Sequence, residues 1–306
     1  MRKLLIIIIV LANLSCNQNQ NMKNDNLKNE YIKALKEFKW QTDFEKIESL
    51  LKPAIRINQK TSIKESHLGI SKFGGTPDLP TGMDWPKFEG RPMIFLAQIN
   101  LDEIKQYDFE NELPDKGIVY FFIHFNEPEN EFGTEYQFIF DKKEYKVIYS
   151  ESAELQNVDF PEELIAEYHF KPTRMEFQPF FTFPSRETLE IESLVDEDQE
   201  NSYSFNDSYG NHEGEQILGY TMPIQYDVTW DWAFSYLDFK TYELTDTDKA
   251  KIDSIRPDFV TLLQFSLENS YTGFEKIGIS IGYFGITKKD LKNKDFDNTI
   301  LIFQDT

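Results

Sequence analysis

The sequence predicts a mainly β protein of the α+β class, in which antiparallel sheets carry two N-terminal helices and short peripheral helices. Two observations lead to this prediction. Aromatic residues, which favour strands and a substantial core, are plentiful, with 27 Phe, 15 Tyr and 4 Trp. After Pro53 the chain consists largely of short aromatic or β-branched runs separated by Gly, Pro, Asn and Asp. That alternation is typical of strands joined by turns.

The first fifteen residues have the composition of a signal peptide. Arg2 and Lys3 precede the apolar run Leu4–Ala12, which ends shortly before Cys16. As a helix this run would rise about 14 Å, well short of the roughly 30 Å hydrocarbon layer of a membrane. We therefore expect residues 1–15 to direct export and then to be removed.

Cys16 is the only cysteine in the chain, and it stands where a bacterial lipoprotein receives its diacylglycerol. The sequence resembles a lipobox through Ser15 and Cys16, but it departs from that pattern at Asn13, where leucine is usual. Ordinary cleavage that leaves a free thiol is the alternative. Lipid attachment at Cys16 predicts an exported protein anchored to a bacterial cell membrane, in the cell envelope.

The composition after the cysteine predicts a tether followed by one globular domain. Residues 16–27 are rich in Asn and Gln and have little to bury, so we expect a flexible lipidated tether. Residues 28–306 are long enough for one large domain or two small ones, and we interpret them as one. The formal net charge of −21 makes nucleic acid a poor partner.

Helical periodicity opens the domain. Apolar residues from Leu27 to Phe38 recur three or four positions apart and predict a first helix. A capping box at Thr42–Glu45 predicts the start of a second helix, and Pro53 its end. Further short helices are expected at Leu101–Gln106, Pro161–Tyr168 and Asp246–Ile255.

The predicted strands follow the aromatic and β-branched runs. They are expected at Met93–Ile99, Ile118–Phe125, Tyr136–Phe140, Tyr145–Tyr149, Phe259–Leu267, Ile277–Ile286 and Thr299–Phe303. The polar stretch Asp196–Glu215 is interpreted as a long, mobile loop that could contain a helical turn.

Two parts of the sequence echo each other weakly. An apolar run with Gln98 is followed 22 residues later by an aromatic run that begins at Tyr120, and Gln264 is followed 19 residues later by Tyr283. An internal duplication is one interpretation. The other is chance, because aromatic strands resemble one another.

Four segments carry a resemblance to a known family. They are residues 71–80 with Trp85-Pro86, residues 92–100, residues 218–225, and Leu262-Leu263-Gln264 with the tail from 290 to 304. In this order and spacing the segments resemble the YwqG-like family of bacterial proteins of unknown function, over roughly residues 30–305. The resemblance implies a mainly antiparallel β architecture with helices at its periphery. It implies no reaction, and Ser266-Leu267-Glu268-Asn269 departs from the acidic and glycine-rich positions usual after the second Leu-Leu-Gln segment.

Buried amides are the first candidate for a specific role. Gln98, Gln225, Gln264 and Gln304 each lie among apolar residues, where an amide must find hydrogen-bond partners. We interpret them as pins between strands, with ligand binding as the alternative. The glycines and prolines around Gly74-Gly75 are interpreted as turn and packing residues.

Two segments are candidates for a ligand or partner surface. His212 lies beside Glu213 and Glu215, whose carboxylates could raise its basicity. Trp230 and Trp232, with Tyr226, would share one face of an extended strand, where aromatic side chains suit a sugar or a partner protein. A place in the hydrophobic core is the other interpretation of both tryptophans, and it is the one that large aromatic residues favour.

The sequence carries no recognisable catalytic signature. The four histidines have no metal-ligand spacing, and no Gly-rich phosphate motif with its lysine is present. We therefore assign no catalytic residue, metal or cofactor. The function expected is that of a membrane-tethered binding or protein-interaction domain with an unidentified protein partner. A carboxylate-dependent hydrolase of the cell envelope is the alternative.

Overall fold

A computed structural model describes residues 24–60, 67–125, 141–185, 188–192, 194–209, 214–268, 271–277 and 280–305. One ten-stranded antiparallel sheet dominates it, which confirms the predicted fold class. The strands are β1 Lys52–Lys60, β2 Lys72–Phe73, β3 Asp78–Pro80, β4 Lys87–Phe88, β5 Arg91–Pro92, β6 Ile94–Asn100, β7 Ile118–Ile123, β8 Tyr145–Ser150, β9 Leu155–Asn157, β10 Thr173–Thr182, β11 Glu215–Leu218, β12 Phe259–Ser266, β13 Ser280–Thr287 and β14 Ile300–Asp305.

The helices lie around this sheet. They are α1 at 24–35, α2 Phe44–Ser49, α3 Leu101–Ile104, α4 Leu189–Glu192, α5 Asp196–Tyr209, α6 Val228–Tyr236, α7 Asp246–Ile255 and α8 Lys288–Lys292. The two predicted N-terminal helices are confirmed, although α1 already includes 24–27 of the segment expected to be a tether. The cap of α2 is Asp43, whose side chain accepts the backbone N–H of Glu45. The helix predicted at Asp246–Ile255 is confirmed at the same bounds.

The large sheet has the order β14-β13-β12-β11-β1-β10-β2-β6-β7-β8. Strands β1 and β10 pair antiparallel at its centre, from Lys52 opposite Thr182 to Lys60 opposite Arg174. The sheet therefore divides into two five-stranded halves, one running outward from β10 and one from β1. The remaining strands form the two-stranded pairs β3–β9 and β4–β5.

The two halves repeat the same register. Across β2, β6, β7 and β8 the aligned residues are Lys72, Gln98, Tyr120 and Ile148, and across β11, β12, β13 and β14 they are Gln216, Gln264, Tyr283 and Ile302. Each half also has a register shift at the same place, between Phe95 and Ala97 in one and between Thr261 and Leu263 in the other.

Side-chain hydrogen bonds repeat as well. In the first half the Gln98 carbonyl accepts the backbone N–H of Asp78 at 2.8 Å, and the Tyr120 hydroxyl donates to the Asp78 carbonyl at 2.7 Å. In the second half Gln264 and Tyr283 bind the N–H and carbonyl of Met222 in the same way, each at 2.9 Å. The echo in the sequence thus corresponds to a structural repeat.

The glutamines act as pins, as interpreted, at three of the four positions. Gln304 accepts the backbone N–H groups of Ile224 and Gln225 and donates to the Tyr226 carbonyl, while Gln98 and Gln264 hold the turns just described. Gln225 differs because it is exposed and donates to Asp305 at the sheet margin. Buried amides with both ends bonded avoid the free energy of an unsatisfied polar group.

The sheet curls until its two ends nearly meet, as in an almost closed barrel. The Tyr145 hydroxyl of β8 donates to the Thr299 carbonyl just before β14, at 2.9 Å. The Tyr149 and Phe296 rings stack with centroids 5.0 Å apart. The main core fills the interior, where Phe121 and Phe284 from opposite halves touch.

Two smaller cores lie outside the sheet. The first joins α1, α2 and α5 to the end of β10. The second joins α6 and α7 to β13 and β14. Helices α6 and α7 occupy the connection from β11 to β12, whereas the matching connection of the first half holds β3 and the β4–β5 pair. The α6–α7 unit is therefore the main departure of the second half from the repeat.

The described residues of the segment expected to be a long loop, Asp196–Glu215, form helix α5 and the start of β11, so that prediction is wrong. Three acids in the first turn of α5 favour a helix because they oppose the positive end of its dipole. The buried Asp198 carboxylate accepts the backbone N–H groups of Gln41 and Thr42 at 2.7 and 2.8 Å. Phe205 packs in the core against Phe183. These tertiary contacts stabilise a helix that the weak apolar periodicity of the segment did not indicate.

The other predictions have mixed outcomes. Strands β6, β7, β8, β12, β13 and β14 are confirmed with ends that differ by up to three residues. The predicted strands did not include β1, β2, β10 and β11 of the large sheet or the four strands of the two small sheets. Pro53 lies in β1 and so does not terminate α2 directly. The helix expected at Pro161–Tyr168 is reduced to one 3₁₀ turn at Ala166–Tyr168. The strand predicted at 136–140 lies outside the described residues.

Candidate functional site

Helix α6 carries both tryptophans of the candidate surface. Asp227 caps it, because its side chain accepts the backbone N–H of Thr229 at 2.9 Å. Trp230 and Phe234 are one turn apart and stack with ring centroids separated by 5.3 Å. The prediction that Tyr226, Trp230 and Trp232 share one face of an extended strand is therefore wrong. The cap and the stacked pair outweigh the preference of aromatic residues for strands.

Trp232 is a core residue. Its side chain is buried against the sheet, and its indole N–H donates to the Tyr283 carbonyl of β13 at 3.2 Å. The ring also lies beside Phe259 of β12, with centroids 5.7 Å apart. The core alternative is thus correct for Trp232, which fixes α6 on the sheet.

Trp230 faces the other way and belongs to a stack of rings at the surface. Its indole is partly exposed and lies nearly parallel to Tyr242, and Phe234 lies 4.8 Å from Tyr242 between their ring centroids. Tyr242 is 63% exposed, Tyr226 45% and Ile224 39%. We call the patch formed by Ile224, Tyr226, Trp230 and Tyr242 the α6 aromatic surface; the buried Phe234, 5% exposed, stacks against Trp230 and Tyr242.

Asp231 lies between the core face of α6 and this surface. It is only 2% exposed, and its Oδ2 is buried without a hydrogen-bond partner. Burial, together with the neighbouring Asp227 carboxylate, raises the pKa of Asp231 to about 7. Burial also raises the pKa of Tyr226 and of Tyr242, and the Asp231 charge adds to both shifts. Asp231 therefore acts electrostatically on the phenol groups of the α6 aromatic surface.

A buried ion pair holds α6 to the end of α7. Arg256 donates to the Asp227 carboxylate at 2.8 Å, and both side chains are 6% exposed. The same guanidinium donates to Thr229 at 3.2 Å and to Asp253 at 3.1 Å. One arginine thus binds the cap of α6, the second residue of α6 and the last turn of α7. These charge-assisted hydrogen bonds hold the two helices that carry the aromatic surface in a fixed position.

The other candidate residues lie elsewhere. Glu215 is the first residue of β11, where it is buried and accepts a hydrogen bond from Gln59 of β1 at 2.8 Å. It belongs to a different element from Trp230 and Trp232. Cys16, His212 and Glu213 fall outside the described residues, so the lipid attachment and the histidine–carboxylate cluster stay predictions.

Sequence reasoning missed the acid that the structure places at this surface. Asp231 stood in the Trp-Asp-Trp triplet, but on a strand its side chain would have pointed away from both tryptophans. On a helix it lies beside Trp230 and near the residues one turn away. Tyr242, in the connection between α6 and α7, gave no signal in the sequence, because nothing local indicates that it would stack on Trp230.

A second polar cluster is buried in the first half of the sheet. The Asp78 carboxylate accepts hydrogen bonds from Lys72, Gln98, Asn157 and the Gly69 N–H, all between 2.8 and 3.0 Å. Gln216 and Met222 occupy the matching positions of the second half. The partners of Asp78 lie on β2, β6, β9 and the turn before β2. This cluster therefore has a structural role, because it holds these strands to β3.

The adjacent Gly74-Gly75 pair is a turn, as interpreted. Both residues have positive φ, and a Cβ at Gly74 would lie 2.6 Å from the Lys171 carbonyl oxygen. A Cβ at Gly75 would lie 2.7 Å from Pro172. The glycines are required for close packing of two chain segments.

Other surface features offer less chemistry. A groove of about 660 Å³ lies between residues 111–116 and α8, and its Lys116 and Lys294 are both paired with Glu151. Within the described ranges, no three His, Cys, Asp or Glu side chains come together in a way that could hold a metal ion. Over the same ranges, none of the helices has the length and apolar character needed to cross a membrane.

Fold and site together define an internally repeated, antiparallel β protein whose second half carries a helical insertion with an aromatic surface. Residues 71–304 match the model of a family described as a domain of unknown function, DUF1963. The chain belongs to the DUF1963 family. No curated protein matches it.

Proposed function

We propose that this protein is a non-enzymatic binding protein, exported and held at a bacterial membrane by a lipid on Cys16, which binds a basic protein partner through the α6 aromatic surface. Within the DUF1963 family, we assign it to the YwqG-like proteins on the four segments that resemble them. The observation that carries the binding proposal is the exposure of three large apolar or aromatic side chains, Tyr242, Tyr226 and Ile224, next to or shortly before α6, together with the partly exposed Trp230.

The composition of the surface suits an interface. Tyr and Trp are enriched among the residues that dominate binding free energy, since they bury large areas at a low cost in conformational entropy. A soluble domain rarely exposes neighbouring large apolar side chains without a use for them. Here the rings are also held in place, because Trp230, Phe234 and Tyr242 stack on one another.

The scaffold beneath the surface supports binding without a large rearrangement. Trp232 fixes α6 on β13, and the Arg256–Asp227 pair joins α6 to α7. A preorganised surface loses less conformational freedom when a partner binds. The α6–α7 unit is also where the second half departs from the structural repeat, so it carries features that the repeat itself does not require.

Electrostatics favours a basic partner. Residues 224–256 contain seven acidic and four basic side chains, and the whole chain has a net charge of −21. A field of one sign attracts a partner of the opposite sign and accelerates encounter. The same charge makes nucleic acid a poor partner.

The test is photo-crosslinking in native membranes with a photoreactive amino acid at position 242 of the full-length chain. Mass spectrometry of the extracted protein would also read the modification of Cys16. We expect a basic partner to be captured from position 242, and Trp230→Ala to reduce its recovery at least about fivefold, as for a hot-spot residue. The matched control is Tyr203→Ser on α5, which removes a tyrosine of similar exposure, 57%, from another surface.

Two results would contradict the proposal. Recovery that is equal in Trp230→Ala and Tyr203→Ser would show that the captured protein does not use the α6 aromatic surface. An unmodified Cys16 thiol in a chain extracted without detergent would remove the membrane anchor.

The hydrolase alternative has one supporting observation, the pKa of about 7 at Asp231, which lies in the range of a general acid. A hydrolase of this type needs a second carboxylate that is available to the substrate. The neighbouring carboxylate, Asp227, is held by Arg256 and caps α6. This arrangement favours binding over catalysis at α6.

A further inference from the structure

Asp231 is the exception among the buried acids. Asp78, Asp198 and Asp227 each accept hydrogen bonds from lysine, arginine or backbone N–H groups. Four buried side-chain oxygens in the described part of the chain lack a hydrogen-bond partner, and Asp231 Oδ2 is the one that belongs to an acid. A buried carboxyl without a partner destabilises a fold, so its presence points to a role other than stability.

We propose that Asp231, together with the rings of Tyr226, Trp230 and Tyr242, forms a subsite for the ammonium group of a lysine side chain carried by the partner. The inference rests on the proposed function and names the side chain that the α6 aromatic surface recognises. The carboxylate supplies the opposite charge and a hydrogen-bond acceptor. The aromatic faces add cation–π attraction and contact with the apolar stem of the lysine.

The chemistry favours lysine over arginine. A guanidinium group binds best to two acceptor oxygens through its planar fork, whereas an ammonium group is a compact charge that can use a single acceptor. The structure leaves one enclosed oxygen, Asp231 Oδ2, for this purpose.

We place the entry to Asp231 at the exposed side chains of Tyr226 and Tyr242. Tyr242 lies outside regular structure between α6 and α7, and both Tyr242 and Tyr226 feel the Asp231 charge at their hydroxyl groups. Since these two rings are 63% and 45% exposed, they can rotate without disturbing the core. The buried Trp232 on the opposite face stays in place.

The charges that face Asp231 set the pH dependence of the subsite. They are Asp227 at the cap of α6, Tyr226 before the helix and Tyr242 after it, and Asp227 is already paired with Arg256. An ammonium group binds the ionised form of Asp231. Lysine binding should therefore strengthen as the pH rises through about 7 and should be accompanied by release of a proton from Asp231.

The experiment uses the full mature chain in detergent and two small probes, N-acetyl-lysine methylamide and its uncharged counterpart N-acetyl-norleucine methylamide. Saturation-transfer NMR and tryptophan fluorescence would follow binding at about pH 5.5 and about pH 8.5. We expect the lysine probe to bind about tenfold more tightly at the higher pH, and the norleucine probe to bind weakly at both.

Variants test the assignment to Asp231. Asp231→Asn should weaken lysine-probe binding about tenfold at the higher pH and abolish its pH dependence. The matched control is Asp238→Asn, which removes an exposed carboxylate just beyond the end of α6 and should change binding less than about twofold. Tyr242→Ser, at an exposed position, is expected to weaken binding without affecting folding, and near-UV circular dichroism checks the fold of each variant.

Equal binding of the two probes, or full binding of the lysine probe by a folded Asp231→Asn variant, would overturn the subsite. If the crosslink at position 242 still depended on Trp230 in that case, the proposed function would stand without the subsite. If the lysine probe bound through Asp231 but the crosslink did not depend on Trp230, the subsite would stand and the protein-binding function would fail.

Discussion

The indole ring of Trp232 lies directly on Gly285 of β13, so closely that a Cβ at Gly285 would be 2.2 Å from the nearest ring atom. The same indole donates to the carbonyl of Tyr283, two residues earlier on that strand. Together these contacts set how deeply α6 sits on the sheet. Since Trp230 is on the outer face of the same helix, Gly285 also determines the position of the α6 aromatic surface.

Gly285→Ala should therefore destabilise the protein by about 3 kcal/mol, because the added methyl group forces a buried ring and a helix to shift. Urea denaturation would measure the free energy of unfolding. The control is Gly90→Ala, where no atom lies within 4 Å of the new Cβ and only the positive φ of 83° is unfavourable. That strain costs about 1 kcal/mol. Equal losses in the two variants would show that the contact with Trp232 is not the cause.

Five of the strands that could be predicted from the sequence have both faces covered. Strands β6, β7, β12, β13 and β14 are almost entirely buried, so each appears in the sequence as a mainly apolar run, rich in aromatic and β-branched residues. The structural repeat could be detected for the same reason. Gln98 and Gln264 are conspicuous because each interrupts an otherwise apolar strand. Burial alone does not decide the outcome, because β8 was predicted although it is only half buried, and the fully buried β11, with four residues, was not.

Strand β10 could not be predicted in this way. Charged residues alternate along its first half, and Pro179 would argue against a central strand. The structure resolves the conflict, because β2 pairs only with Thr173 and Arg174. At Pro179, β10 therefore pairs with β1 on one side and with no strand on the other, so a missing backbone N–H is tolerated there. Whether a residue in a strand has a neighbouring strand on one side or on both depends on the tertiary structure and cannot be predicted from the local sequence.

The candidate site was predicted in part. Trp230 was named as a candidate residue and is partly exposed in the structure, but the predicted secondary structure was wrong, and Trp232, named with it, lies in the core. The cap at Asp227 is formed by a single side chain, and Tyr242, twelve residues after Trp230, reaches the stack through tertiary packing. Contacts of this kind decide between a helix and a strand where local propensities compete.

The repeated glutamines predict matched effects on stability. Gln98→Ala and Gln264→Ala each leave a buried backbone N–H and a carbonyl without a partner, so each should lower the free energy of unfolding by about 2–4 kcal/mol. Gln225→Ala, at the exposed fourth position, should change it by less than about 0.5 kcal/mol. Thermal and urea unfolding would compare the three variants. A small effect at Gln98 or Gln264 would mean that they do not hold the Asp78 and Met222 turns.

Breaking the buried Lys72–Asp78 pair should be strongly destabilising. Lys72→Met leaves the Asp78 carboxylate buried without its cation, at a cost of about 3–5 kcal/mol. The control is Lys60→Met, which breaks the exposed Lys60–Glu176 pair at 3.3 Å and should cost less than about 1 kcal/mol. Urea denaturation near neutral pH measures both, and similar values for the two variants would contradict the role of Lys72.

The same pair makes a prediction for acid unfolding. Burial acts to raise the pKa of Asp78, but the hydrogen bond from Asn157 and the ion pair with Lys72 hold it below its ordinary value. A lowered pKa contributes stability above the unfolded-state pKa of about 3.9, and that contribution is lost as the pH falls through the folded-state value. Lys72→Met should therefore move acid unfolding, followed by circular dichroism, to higher pH, while Lys60→Met should leave it unchanged.

Asp231 predicts the opposite pH dependence. Because burial raises its pKa to about 7, the folded chain binds a proton at Asp231 between about pH 4 and 7 that the unfolded chain does not bind. Its contribution to stability is thus complete below the unfolded-state pKa and is lost as the pH rises through about 7. Asp231→Asn removes this loss, so the variant should be more stable than the natural chain at about pH 8, by at most about 4 kcal/mol, and similar to it at about pH 4.

The control variant Asp238→Asn should show no such difference in stability. Thermal unfolding across this pH range measures it, and a parallel pH profile for the natural chain and Asp231→Asn would contradict the raised pKa. A gain in stability together with loss of lysine-probe binding would indicate that the buried acid is maintained for binding at the expense of stability.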